Sequence, residues 1–240
     1  MFNEAAAHVT EAGVQIPYDG TALEADLGLP ENAVGLVLFA HGTGSSRFST
    51  RNSAVARELQ EAGLATLLLD LLTLEEERAE ASTARFRFDI EMLALRLAAA
   101  TDWLATQREL RRLPVGYFGA STGAAAALVA AAMRPQRVQA IVSRGGRPDL
   151  AGNALEKVLA PTLLIVGGFD TVVIDLNHYA LRRLSCIAQL EVVPRASHLF
   201  GEPGALEKVS QLARGWFTKY LLGSDKPAPQ YSGAGHSGGR

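Results

Sequence analysis

A chain of 240 residues with 48% hydrophobic and 20% charged side chains is long enough for one large buried core and too apolar to stay unfolded. Its net charge of −2 provides no basic face for nucleic acid or for a membrane surface, so small neutral or weakly charged molecules are the expected partners. The single cysteine, Cys186, excludes an internal disulfide, and neither a secretory leader at the N-terminus nor an apolar run of membrane-spanning length is visible, which predicts a cytoplasmic protein.

In chain order, Val14–Pro17 and Leu23–Leu27 are β-prone runs separated by Asp19-Gly20, a dipeptide suited to the tight turn of a hairpin. Val34–Ala40 is nearly continuous in apolar residues, as a strand buried on both faces of a parallel sheet must be, and it ends in His41-Gly-Thr-Gly-Ser-Ser46. Asn52–Ala62 reads as a helix closed by Gly63, and Ala65–Asp70 as the next strand. Residues 71–84, with Glu75-Glu-Glu77, read as a solvated loop or short helix. From Asp89 to Gln107, Ile90, Leu93, Leu97, Ala100 and Leu104 recur at helical spacing.

The central strand follows at Val115–Phe118 and breaks into Gly119-Ala-Ser121-Thr-Gly123 before an alanine-rich helix. Three further strands are expected at 138–142, 161–166 and 188–193, alternating with helices at 150–159, 174–184 and 203–222. This alternation predicts an α/β fold: one open, mostly parallel sheet with helices on both faces, in a single domain over residues 1–222. The connection from Val142 to Pro161 has room for one helix, so no large lid is expected. The Gly, Ser, Pro, Gln and His composition of residues 223–240 predicts a disordered tail.

In such a sheet ligands bind beyond the carboxyl ends of the strands, and three polar residues stand there in the order Ser121, Asp170, His198. A serine hydroxyl is a poor nucleophile near neutral pH. It needs an imidazole to take its proton, and a carboxylate to fix the imidazole tautomer. Small residues around Ser121 allow a tight strand-to-helix turn that presents the hydroxyl. The backbone amides of Thr43 and Thr122 are the expected oxyanion hole.

Residues Gly119–Gly123, the His41-Gly-Thr43 loop, Asp170 and His198 together resemble the α/β-hydrolase superfamily, and within it the compact, lidless, dienelactone-hydrolase-like branch. The resemblance spans roughly residues 14–222. The stretches His41–Asn52, Val142–Arg147 and Ser197–Gly204 are similar to hydrolase modules that also occur joined to phosphoribosyltransferases; a second module of that kind is not expected here. True dienelactone hydrolases carry cysteine in the elbow where this chain has Ser121. For a serine member the resemblance implies carboxylic ester hydrolysis without a cofactor. Thioesterase, lactonase, acyltransferase or perhydrolase chemistry on the same three residues, and a non-catalytic binding module, are the alternatives.

Each residue also has a plainer reading. Ser121 fits a tight turn, Asp170 a helix N-cap with Asp175 as the rival acid, and His198 an ordinary surface histidine. His41 is expected to brace the oxyanion loop. Cys186 reads as packing material, and no metal-ligand spacing is evident. Arg47, Arg51, Arg85, Arg87, Arg144 and Arg147 fall in loops that border the site; ion pairing is the plainer role, and holding an anionic substrate group the sharper one.

Overall fold

The Asp19-Gly20 signal forms a hairpin at the edge of an eight-stranded sheet. In the computed structural model, which describes residues 8–42, 44–83 and 85–222, both turn residues have positive φ (43° and 76°). That is the twist a two-residue hairpin turn needs. It joins β1 (Val9–Tyr18) to β2 (Thr21–Pro30) in antiparallel register. Strand β2 also pairs antiparallel with β4 (Leu64–Leu69). From there the sheet is parallel through β3 (Gly35–Ala40), β5 (Val115–Ala120), β6 (Val138–Arg144), β7 (Thr162–Gly167) and β8 (Ala188–Val193). The strand order is β1-β2-β4-β3-β5-β6-β7-β8, so β3, β5 and β6 occupy the middle. Every residue of β3, β4, β5 and β7 is buried, which accounts for their unbroken apolar runs.

Helices cover both faces. On one face lie α1 (Thr50–Glu61) and α6 (Ala205–Phe217), whose Val55, Leu59, Val209, Ala213 and Phe217 pack on Val37, Phe39, Phe118, Ala140 and Val142. On the other lie α3 (Ile90–Thr106) and α4 (Thr122–Met133), packed on Leu36, Leu38, Tyr117 and Ile141. Ala124–Ala127, Ala130 and Ala131 of α4 are buried, and side chains this small let the helix approach the sheet closely. Tyr117 is buried with its hydroxyl 2.5 Å from Thr101 Oγ1, which satisfies the phenol inside the core and ties α3 to β5.

Several segments differ from their sequence reading. Residues 71–84 contain a short helix, α2 (Leu74–Thr83), one of the two readings expected there, but its acidic run is not simply solvated. Glu76 makes a two-pronged ion pair with the buried Arg96 of α3 (2.5 and 2.7 Å), and Arg96 also donates to Leu71 O. The expected helix at 150–159 is instead a pair of 3₁₀ turns over Pro148–Lys157, broken at Gly152, whose φ of 54° interrupts any helix. Helix α5 (Thr171–Arg183) begins three residues earlier than the expected 174–184, and α6 ends at Phe217 in a π-helical turn, Thr218–Leu222. The expected tail at 223–240 lies outside the described residues. Among the described residues, no helix is long and apolar enough to cross a membrane.

Candidate active site

Strand β5 hands the chain to α4 through Ser121, whose backbone sits at φ 52° and ψ −125°. A non-glycine residue adopts this conformation only when the structure around it enforces it. The enforcement is visible in its neighbours. Ser121 N–H lies 3.4 Å from Arg144 O, and Ser121 O accepts from Ala124 N–H (3.1 Å) and Arg147 N–H (3.0 Å). A Cβ at Gly119 would stand 2.5 Å from Ala124 Cα, and one at Gly123 only 2.1 Å from Ala40 O. Both positions therefore exclude any side chain, which is what the spacing of small residues around the serine reflects. Although Ser121 precedes a helix, its side chain makes no capping bond, so the hydroxyl is not engaged there.

Asp170 also stands at a helix N-cap, before α5, and it too makes no side-chain capping bond. Its Oδ2 lies 2.6 Å from His198 Nδ1. The plainer reading of Asp170 as a cap is thereby set aside, while the rival Asp175 lies exposed within α5. The loop that carries His198 is fixed at three points. Phe169 N–H donates to Ala196 O (2.9 Å), Ser197 N–H donates to Glu202 Oε2 (3.0 Å), and Phe200 is buried in the core. His198 keeps 42% of its side chain exposed, so the ring is reachable from solvent.

The segment 144–147 draws these elements together. Its Arg144 is in register with Ala120, the residue before the serine, and a Cβ at Gly145 would stand 3.6 Å from His198 Cε1. No hydrogen bond joins Ser121 Oγ to His198 among the described residues. Contacts of this kind tighten when substrate is bound.

Beside Ser121 lies the loop after β3. A Cβ at Gly42 would meet Ser121 Cβ at 2.7 Å. Thr43, one of the two expected oxyanion donors, falls outside the described residues. Thr122, the other, is buried at the first position of α4, where backbone amides at a helix N-terminus favour negative charge. Thr122, His41, Gly42, Leu71, Leu72, Phe86 and Leu93 line a small, mostly apolar slot.

His41 braces this loop, as its position suggested. Its Nδ1 lies 3.0 Å from Gly42 O, and its Nε2 is 3.3 Å from Leu71 N–H and 3.5 Å from Asp70 Oδ1. Asp70 accepts from Arg47 N–H (2.6 Å) and pairs with the Arg47 guanidinium. Burial alone would raise Asp70, but the His41 and Arg47 contacts outweigh it and hold the carboxyl below its usual range. Glu77 is pushed the other way, by burial and by the charge of Asp70.

The ligand atoms of His41, Asp70 and Glu77 all lie within 4.8 Å of one another, a grouping that sequence spacing had not revealed. The Arg47 guanidinium, bonded to Asp70, already supplies the cation there. Cys186 follows α5, half-buried, with its thiol near Thr162 Oγ1 (3.7 Å) and pushed up by burial, as packing material would be.

Three of the six bordering arginines are paired with carboxylates. Arg47 serves Asp70 and Asp26, Arg87 serves Glu80, and Arg147 serves Asp149, while Arg85 sits over the Phe86 ring. Arg51 and Arg144 have no carboxylate partner among the described residues.

A strained serine elbow after the fifth strand of such a sheet, with a carboxylate–histidine pair at the ends of two later strands, defines an α/β hydrolase. A family model described as the alpha/beta hydrolase fold matches residues 35–185, and the chain belongs to that family. Within it the chain is similar to a crystallised dienelactone hydrolase from Anabaena variabilis, at 58% identity over 89% of this chain and 99% of that one, with a TM-score of 0.87. It is also similar to a Mycobacterium tuberculosis protein named "Putative phosphoribosyl transferase Rv0571c", at 57% identity over 88% of this chain. The match covers 46% of that relative, so the chain spans about half the length of the curated relatives it matches. The fold alone is shared with Est1E from Butyrivibrio proteoclasticus, at 18% identity over 86% of this chain and 98% of that one, with a TM-score of 0.71.

Proposed function

We propose that the protein is a serine carboxylic-ester hydrolase acting on small to medium acyl esters through an acyl-enzyme. The observation that carries this reading is the 2.6 Å contact between Asp170 and His198 at the sheet edge where the strained elbow presents Ser121. Ser121 Oγ attacks the ester carbonyl as His198 Nε2 takes its proton. The tetrahedral oxyanion is held by the amides of Thr43 and Thr122. The protonated ring then gives its proton to the departing alcohol, and the acyl-enzyme forms. Water, deprotonated by the same ring, attacks the acyl carbon and releases the acid and the free serine. Asp170 keeps the Nδ1–H tautomer in place and stabilises the imidazolium. Thioesters, lactones, or acyl acceptors other than water would use the same residues.

Retention of a strained, uncapped serine favours catalysis over a hydrolase-like binding module, because a fold kept only for binding has no need of that conformation. The transferase name belongs to proteins about twice as long, and the serine, aspartate and histidine described above fit acyl chemistry. The test is turnover of short p-nitrophenyl esters together with labelling by a fluorophosphonate. Wild type should do both, and Ser121→Ala should do neither while remaining folded. Turnover retained by Ser121→Ala would overturn the assignment.

A further inference from the structure

The β1–β2 hairpin carries four residues on one face that a packed sheet would not choose. Glu11 lies opposite Gly28 and Gly13 opposite Asp26 in the antiparallel register, so all four share that face. The helix on this side is α1, whose Val55 and Leu59 cluster with Leu64 and Leu68 of β4. Between α1 and the hairpin lies an open-mouthed cavity of about 510 Å³, within the size range of small-molecule sites. The two glycines keep its floor free of side chains. A Cβ at Gly28 would stand 2.1 Å from Gln60 Nε2, whereas one at Gly13 would meet nothing within 4 Å.

The polar groups facing this space are mostly acceptors. Gln60 of α1 is only 9% exposed, and its amide lies against Gly28 with Nε2 donating to the buried Thr66 Oγ1 at 2.7 Å. Its Oε1 has no hydrogen-bond partner among the described residues. An amide oxygen buried at a cavity wall calls for a donor, and no side chain supplies one. Asp26 adds a carboxylate that stands 3.4 Å from Arg47 Nε without a hydrogen bond, because the Arg47 guanidinium is committed to Asp70. Glu11, diagonal to Asp26 on the next strand, has no ion pair among the described residues. With Arg47 and Asp70 neutralising one another, Glu11 and Asp26 face only the exposed Arg57 on the helix, so negative charge is in excess.

We propose that this cavity is a second binding site, taking a small organic cation whose primary ammonium donates to Gln60 Oε1, Asp26 and Glu11. Three acceptors match the three donors of an ammonium. A polyol would leave the negative charge uncompensated, and an anion would be repelled by it. Ser121, Asp170 and His198 do not line the cavity, and Arg47 forms the partition, with Asp26 on one side and Asp70 on the other. The site therefore stands apart from the serine and does not depend on what the serine attacks.

Calorimetric titration with 1,4-diaminobutane tests it, with glucose as the uncharged comparison. The diamine should bind wild type and bind Ser121→Ala equally well. Its affinity should fall about tenfold or more in Asp26→Asn and in Gln60→Leu, each of which removes an acceptor of the charged ligand. Gln60→Leu also strips Thr66 of its donor, so Gly13→Trp is the deciding variant. Its indole enters open space above the floor, clashes with no neighbour at its Cβ, and should abolish binding in a folded protein. Absence of diamine binding to wild type, binding that survives Gly13→Trp, or tighter binding of glucose would each overturn the proposal.

Discussion

Asp170 occupies the N-cap position of α5 yet directs its carboxylate to His198 Nδ1, 2.6 Å away, and leaves the helix amides without a side-chain cap. Two uses of one carboxylate compete here, and the contact with histidine prevails. Asp170→Asn should therefore replace the acceptor-only carboxylate that fixes the imidazole tautomer with a neutral amide that can also donate, and no capping bond is lost. The expected loss in kcat is about 10⁴-fold, as for the equivalent change in a serine-protease triad. Thermal denaturation should move by no more than about 3 °C, because the Asp170 side chain makes no capping bond that the substitution would remove. A loss below tenfold would show that Asp170 does not orient the base.

Gly123→Ala tests the packing that presents the serine. The new methyl would stand 2.1 Å from Ala40 O and 2.7 Å from His41 O, both backbone atoms of the adjacent strand and loop. Neither can swing aside as a side-chain end does. The expected destabilisation is about 3 kcal/mol or more, with a fall in Tm of about 6–12 °C and loss of ester turnover. Melting by circular dichroism checks it, and an unchanged Tm would mean that the elbow has more room than the structure gives it.

The Asp70 cluster makes stability depend on pH. A carboxyl held below its usual value in the folded state contributes stability above the unfolded pKa of about 4, and that contribution is lost as pH falls through the lower folded value. Glu77, raised by burial and by Asp70, has the opposite sign and partly offsets the loss on acidification. The stability difference between wild type and Asp70→Asn, measured by urea unfolding, should be largest near pH 6–7 and shrink below about pH 4. A difference independent of pH would show that Asp70 acts through shape and not through charge. Turnover should also fall in Asp70→Asn, because the carboxylate pins Arg47 and, through it, the loop beside Ser121.

The layered fold and its strands were legible because parallel strands buried on both faces leave unbroken apolar runs, as in Leu36–Ala40 and Thr162–Val166. The order Ser121, Asp170, His198 followed from a topological rule about strand ends. The same rule, applied without reference to a mechanism, also selects Asp70 at the end of β4 and Arg144 at the end of β6. Arg144 was expected only as one of several loop arginines and Asp70 only as the end of a strand, because a carboxylate or guanidinium at a strand terminus looks like an ordinary boundary until its surroundings are known. Those surroundings, Arg47 bonded to Asp70 from 23 residues earlier and the like charge of Arg51 acting on Arg144 from another layer, have no signature in local spacing. The acidic face of α2 was misread for the same reason, since Arg96 reaches Glu76 across 20 residues. Helical spacing at 150–159 was misleading because Gly152 adopts a φ that no periodic pattern records.

The backbone of Ser121, at φ 52° and ψ −125°, also bears on what the fold would prefer if it had no reaction to perform. Holding a non-glycine residue there costs about 1–3 kcal/mol, which glycine would largely relieve. Ser121→Gly should accordingly be inert and melt several degrees higher than wild type, at about 2–4 °C for each kcal/mol recovered. Drift toward a more robust molecule would therefore tend to erase the nucleophile first.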